Sequence, residues 1–215
     1  RMGNKLQLQD WPYLKKYQED NAKLPLLKTG EQRIVFMGDS ITEFWSVHSP
    51  EFFIGKPYIN RGISGQTSPQ MLVRFRADVI ALKPTIVVLL AGANDLAGNT
   101  GPSTLEMITD NIFSMAELAK VHQIKVILCS VLPAYDFDWK PGSFPAEKIV
   151  TLNTMMQQYA EANEILSLDY HSALVDERKG LDANFTDDEV HPNKTGYEVM
   201  GPIVEKAIAE ALLSK

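Results

Sequence analysis

The sequence predicts a three-layer α/β/α sandwich built on a doubly wound parallel sheet of about five strands. Two observations carry that prediction. Short, continuous apolar runs recur along the chain, as expected of strands buried on both faces of a sheet. Segments with helical spacing lie between them, so the order alternates strand and helix, with right-handed crossovers expected.

Taken in order, residues 1–30 are polar, with Trp11, Tyr13, Leu14 and Tyr17 spaced to share one helical face. They are expected to form an N-terminal helical extension packed on a domain spanning 31–215, after the turn signal Lys28-Thr29-Gly30. Strands are predicted at 33–37, 57–61, 85–91, 124–131 and 164–169. Helices are predicted near 68–82, 103–121, 146–162 and 195–213, the second opened by a capping box of Ser103 and Glu106. One long loop, 134–145, follows a strand carboxyl end, where ligands bind in open α/β sheets.

At 215 residues the chain suits one α/β domain with a large core. Its formal net charge of −6 offers no basic stripe, so nucleic acid is not an expected partner, and an anionic membrane surface is disfavoured too. No apolar run approaches the ~20 residues needed to span a bilayer, and no stable membrane association is expected. The single cysteine, Cys129, sits in the apolar run Val126-Ile127-Leu128 and is expected to be a small core residue, which excludes an intrachain disulfide or a cysteine-based metal site. The opening Arg1-Met2-Gly3 is either a tag remnant or the start of a chain freed of a signal peptide, so a secreted or periplasmic location is expected ahead of a cytoplasmic one.

Chemistry concentrates in four short segments. Gly38-Asp39-Ser40-Ile41-Thr42 follows the first strand, placing Ser40 at or near a helix N-terminus whose free N–H groups favour negative charge. The alternative is that Asp39 and Ser40 merely cap that helix. The second, Asn60-Arg61-Gly62-Ile63-Ser64-Gly65-Gln66-Thr67, offers Gly62 as a bare backbone donor, or as an ordinary turn glycine. Arg61 faces either an anionic substrate or a surface salt bridge. The third, Gly92-Ala93-Asn94-Asp95, follows the most apolar strand; Asn94 either aims its amide at an oxyanion or closes an Asx turn. The fourth is Asp187-Asp188-Glu189-Val190-His191-Pro192. His191 is the one histidine of four with an acidic cluster just before it. Asp188 would orient its ring, and His191 would act as general base and then acid for Ser40. His171 is a distant second choice, while His48 and His122 carry no expected role. A serine hydrolase is the expected chemistry, needing no metal or organic cofactor.

These four segments together resemble the blocks of the SGNH (GDSL-type) hydrolase superfamily, in its order, across residues 33–197. The resemblance implies a flavodoxin-like fold and an acyl-enzyme mechanism on small-molecule esters. By that likeness Ser40 is the nucleophile and an oxyanion donor through its N–H. Gly62 and Asn94 are the other donors, His191 is the base and Asp188 its partner. Glu189 departs from the pattern, standing where many members carry glycine. Thr42-Glu43-Phe44-Trp45 and Ser130-Val131-Leu132-Pro133-Ala134-Tyr135 are most similar to acylhydrolases related to platelet-activating-factor acetylhydrolase. Asp39, Trp45, Tyr135 and Trp139 are the expected substrate-facing residues, with Phe137 and Phe144 beside them. Short acyl groups such as acetyl, on a carbohydrate or small lipid ester, are the expected substrates. The rival reading is an inactive glycan- or lipid-binding protein on the same fold. A nucleotide or flavin binder is disfavoured, since no G-x-G-x-x-G or G-x-x-x-x-G-K-[ST] pattern occurs.

Overall fold

A computed structural model describes residues 9–214. Strands β1 (Ile34–Gly38), β2 (Tyr58–Gly62), β3 (Ile86–Leu89), β4 (Lys125–Cys129) and β5 (Leu166–Leu168) form one sheet in the order β2-β1-β3-β4-β5. All pairings are parallel, with Gly38 opposite Gly62 and Met37 opposite Leu89. This is the flavodoxin-like order, whose switch point lies between β1 and β3.

The strands alternate sides residue by residue, which explains why their sequences are continuously apolar. Val35, Met37, Val87, Leu89, Val126 and Leu128 face one core with α3 (Ser68–Asp78), α5 (Leu105–Val121) and α6 (Ala146–Ala162). Ile34, Phe36, Ile86, Val88, Ile127 and Cys129 face the other, against α2 (Ser40–His48) and α8 (Lys194–Leu213). Cys129 is buried and free, and burial pushes its thiol pKa up. Two short helices, α4 (Ala93–Ala97) and α7 (His171–Leu174), follow β3 and β5, where the sequence predicted longer strands and loops. The cap of α5 is Thr104, whose hydroxyl takes Met107 N–H, and not the predicted Ser103. The predicted helix 68–82 stops at Asp78 and continues as a 3₁₀ turn, Ile80–Leu82, closed by Lys83 at φ 51°.

Of the expected N-terminal helical extension, residues 1–8 lie outside the described residues, and residues 10–30 are helical over one stretch only. Helix α1 covers only Gln18–Lys23, and residues 11–17 form turns. Pro12 is followed by Tyr13 at φ 56°, which no right-handed helix accommodates, and the Asp10 carboxylate takes the N–H groups of Leu14 and Lys15. The segment is nevertheless anchored: Tyr17 Oη donates to Gly62 O, and Asn21 Nδ2 to Asp78 Oδ1 at 2.8 Å. Arg61 proves buried, its guanidinium over the Tyr17 ring and its Nε on Asn21 Oδ1, facing neither substrate nor a salt-bridge partner among the described residues.

Candidate active site

Ser40 is the first residue of α2 and is buried at its N-terminus. The turn from β1 into α2 is sharp: a Cβ on Gly38 would meet Thr42 Oγ1 at 2.0 Å, so only glycine fits. Ser40 Oγ lies 2.9 Å from His191 Nε2, and His191 Nδ1 lies 2.7 Å from Asp188 Oδ2. Asp188 Oδ1 also accepts the N–H of His191 at 2.7 Å and of Val190 at 3.0 Å. Partial burial raises the Asp188 pKa, but those N–H donors and the imidazole outweigh it and hold the carboxyl below its ordinary value. The carboxylate therefore stays ionised beside the ring. Thr186 closes this loop, its hydroxyl on His191 O at 2.8 Å and its backbone bridged to Pro192. Glu189 sits at the loop corner with φ 66°, the backbone region that favours glycine, so the departure in sequence marks a real conformational demand.

Asp39, expected among the substrate-facing residues, turns inward. Buried to 2% exposure, it caps α2 by accepting Ile41 N–H at 2.9 Å and takes Asn94 Nδ2 at 3.2 Å on its other oxygen. Burial pushes its pKa up to about 6. Asn94 also donates to Gln66 O at 3.1 Å and accepts from Asn99 Nδ2 at 2.8 Å. Its neighbour Asp95 is structural, receiving Ser68 N–H and hydroxyl at the start of α3.

Gly62 does not offer a free donor. Its N–H is bonded to Asn60 Oδ1 at 2.8 Å, and a Cβ there would meet Glu43 N at 2.1 Å. It is a glycine because α2 crosses directly over β2. Three residues on, Gly65 has φ 76°, and among the described residues its N–H has no acceptor. The same holds for the N–H of Ser40. The loop carrying Gly65 is tied to the turn and helix that carry Ser40 by Ile63 N–H on Gly38 O at 3.0 Å and by Ser64 N–H on Glu43 Oε2 at 2.6 Å.

Of the expected substrate-facing aromatics, Trp45 is core: it is 2% exposed, stacked on Phe52 at 4.4 Å and on Tyr197 at 5.2 Å. Trp139 does reach the site, its ring 6.2 Å from that of His191 and its Nε1 donating to Asn99 Oδ1. Tyr135 is half-exposed farther along the rim, under the Arg178 guanidinium. Phe137 is fully buried beneath Trp139. Phe44, which the sequence reading passed over, lies 5.3 Å from the His191 ring. Its position four after Ser40 on one helix was the available signal. His171 lines a separate cavity of about 360 Å³ with Ser130 and Asp169, and bonds to neither Ser40 nor Asp188.

Residues 36–199 match the profile of the GDSL-like Lipase/Acylhydrolase family. The chain belongs to that family. Crystal structures of two proteins from Bacteroides fragilis and Bacteroides thetaiotaomicron, the second a GDSL-like lipase, superpose with TM-scores of 0.93 and 0.91. Each is 47% identical and covers 94% of this chain and 99% of its own. An acetylxylan esterase of Xylanibacter ruminicola is 23% identical over 86% of this chain and 45% of that protein. Esterase TesA of Pseudomonas aeruginosa is 30% identical over 46% of this chain and 54% of its own length. The chain thus spans about half the length of the curated relatives it matches or less. The family assignment agrees with the three-layer fold around the five-stranded parallel sheet. Among the described residues no helix is long and apolar enough to cross a membrane.

Proposed function

We propose that the chain is a serine acylhydrolase of short-chain, acetyl-type carboxylic esters, working through a covalent acyl-enzyme. The observation that carries this reading is the continuous hydrogen-bonded relay from Ser40 Oγ to His191 to Asp188, at 2.9 and 2.7 Å. His191 removes the Ser40 proton as the oxygen attacks the ester carbonyl, and Asp188 holds the ring in the tautomer that leaves Nε2 free to accept. The tetrahedral oxyanion is met by the N–H groups of Ser40 and Gly65. Asn94 joins them once its longer bond, to Asp39, is shared with the incoming oxygen. Collapse of the intermediate breaks the ester C–O bond, and His191 delivers its proton to the departing alcohol. Water, deprotonated by the same ring, then releases the acid and restores Ser40.

The acetyl preference draws support from the acetylxylan esterase among the relatives and from the cramped setting of Ser40, with Phe44 and Trp139 close to the His191 ring. We place the enzyme outside the cytoplasm, a reading favoured by a lipoprotein among its relatives. The test is hydrolysis of p-nitrophenyl acetate at pH 8 by wild type and Ser40→Ala. Turnover should fall ~10³-fold or more. Equal activity of the two proteins would end the triad assignment.

A further inference from the structure

Beside the Ser40 loop lies a second feature that the proposed mechanism does not use. A cavity of about 520 Å³ opens there, lined by Trp11, Tyr13, Ser64, Gly65 and Asn99 among others. Trp11 and Tyr13 are 40% and 43% exposed, although the turn that carries them is firmly held. Gln66 Nε2 donates to Pro12 O at 2.7 Å and Gln70 Nε2 to Trp11 O at 2.8 Å. Both glutamines are themselves buried. Tyr13 keeps a positive φ, which L side chains rarely adopt. A turn that served only to dock the N-terminus would bury its rings; this one fixes its backbone and leaves the rings at the cavity.

The cavity's lining is bonded to residues around Ser40 and His191. Its member Asn99 donates to Gly65 O at 3.1 Å and to Asn94 Oδ1 at 2.8 Å, and accepts from Trp139 Nε1 at 3.1 Å. Trp139 in turn stands by the His191 ring. An arc of aromatic and amide groups therefore runs from the general base to Trp11.

Resting on the hydrolase reading above, we propose that this cavity binds a sugar unit of the alcohol portion, and that the substrates are O-acylated oligosaccharides. A sugar ring has an apolar C–H face and a rim of hydroxyls, matching flat Trp11 and Tyr13 faces bordered by Asp10, Ser64, Asn99 and Thr100. A long acyl chain would desolvate those polar groups without partners. An anionic headgroup would meet Asp10, with no lysine or arginine among the lining residues.

The test compares wild type, Trp11→Ala, Trp11→Leu and Tyr13→Ala on methyl acetate, whose alcohol is too small to reach the cavity, an O-acetylated methyl xyloside, and partly O-acetylated xylo- and manno-oligosaccharides. Wild type should favour at least one oligosaccharide class over the monosaccharide by about ten-fold in kcat/KM, the scale of one aromatic stacking contact. Each variant should lose about that factor, chiefly through KM, while methyl acetate hydrolysis stays within about two-fold. Trp11→Leu keeps apolar bulk without a flat ring and should behave like Trp11→Ala. No oligosaccharide preference in wild type, or equal losses on all substrates, would overturn the proposal. Failure of the underlying reading shows separately, as p-nitrophenyl acetate activity surviving Ser40→Ala.

Discussion

Asp39→Asn should alter the pH dependence of stability more than stability at any single pH. Burial raises the Asp39 pKa from its ordinary 3.8 to about 6, against the downward pull of the Ile41 N–H and of nearby His191. A rise of that size corresponds to roughly 3 kcal/mol. The sign follows from which state binds the proton more tightly. Below about pH 4 both folded and unfolded chains carry it, and above about pH 6 neither does. Between those limits the folded state alone holds it, so wild type loses roughly 3 kcal/mol from this residue as pH climbs from 4 to 7. Asparagine cannot ionise and contributes no such slope. Its oxygen can still accept Ile41 N–H, but its NH₂ would face Asn94 Nδ2, which now lies 3.2 Å from the carboxylate. Two apposed donors cost about 1–3 kcal/mol at every pH. Urea unfolding followed by tryptophan fluorescence, at pH values from 4 to 8, measures the difference directly. The variant should be the weaker protein at pH 4 and gain roughly 3 kcal/mol on wild type by pH 8. Asp95, raised to about 6 by its own burial, is present in both proteins and cancels. A difference that stays constant with pH would refute the reasoning, because it would mean that Asp39 titrates as an exposed carboxyl does.

The glycine that ends β2 and the one in the loop after it should separate cleanly. Gly62→Ala forces a Cβ to within 2.1 Å of Glu43 N and should cost about 3 kcal/mol or more in urea unfolding. Gly65→Ala has open space, the nearest atom being 3.9 Å away, so it should lose only about 1–2 kcal/mol from its positive φ, yet kcat on p-nitrophenyl acetate should drop about ten-fold or more as the N–H is displaced. A folded, fully active Gly65→Ala enzyme would remove that residue from the oxyanion site. Glu189→Gly should stabilise the protein by about 0.5–1 kcal/mol, seen as a higher Tm, by relieving φ 66° at the price of one long 3.8 Å contact with Arg178. A lower Tm would show that the ion pair outweighs the backbone.

The sheet was legible because its strands are buried on both sides, and a strand with two cores must be apolar at every position. The Ser40, Asp188 and His191 grouping was legible for a different reason: few histidines compete, and the aspartate lies within one turn of its own. Gly62 and Gly65 were not separable by sequence, since both follow one strand. What tells them apart is the Asn60 side chain that occupies one N–H and not the other. The helix register carried more than was taken from it: Ile41 and Trp45 share the core stripe of α2, while Phe44 shares the Ser40 face. The aromatic spacing of the N-terminus imitates a helix, and the positive φ at Tyr13, invisible in a pattern of apolar residues, overrides it.

The order of parts along the chain has a consequence for how the enzyme comes into being. Ser40 is set by β1, and the last described strand ends at Leu168, but His191 and Asp188 arrive afterwards, on a loop closed upon itself at Thr186. That loop is seated by α8, whose Tyr197 hydroxyl donates to Ile41 O, next to Ser40, at 2.7 Å. A chain emerging from the ribosome can complete its whole sheet while Ser40 still lacks a base. On the proposed mechanism, a chain cut after Leu168 would hold the full sheet and Ser40 yet have no base with which to turn over an ester.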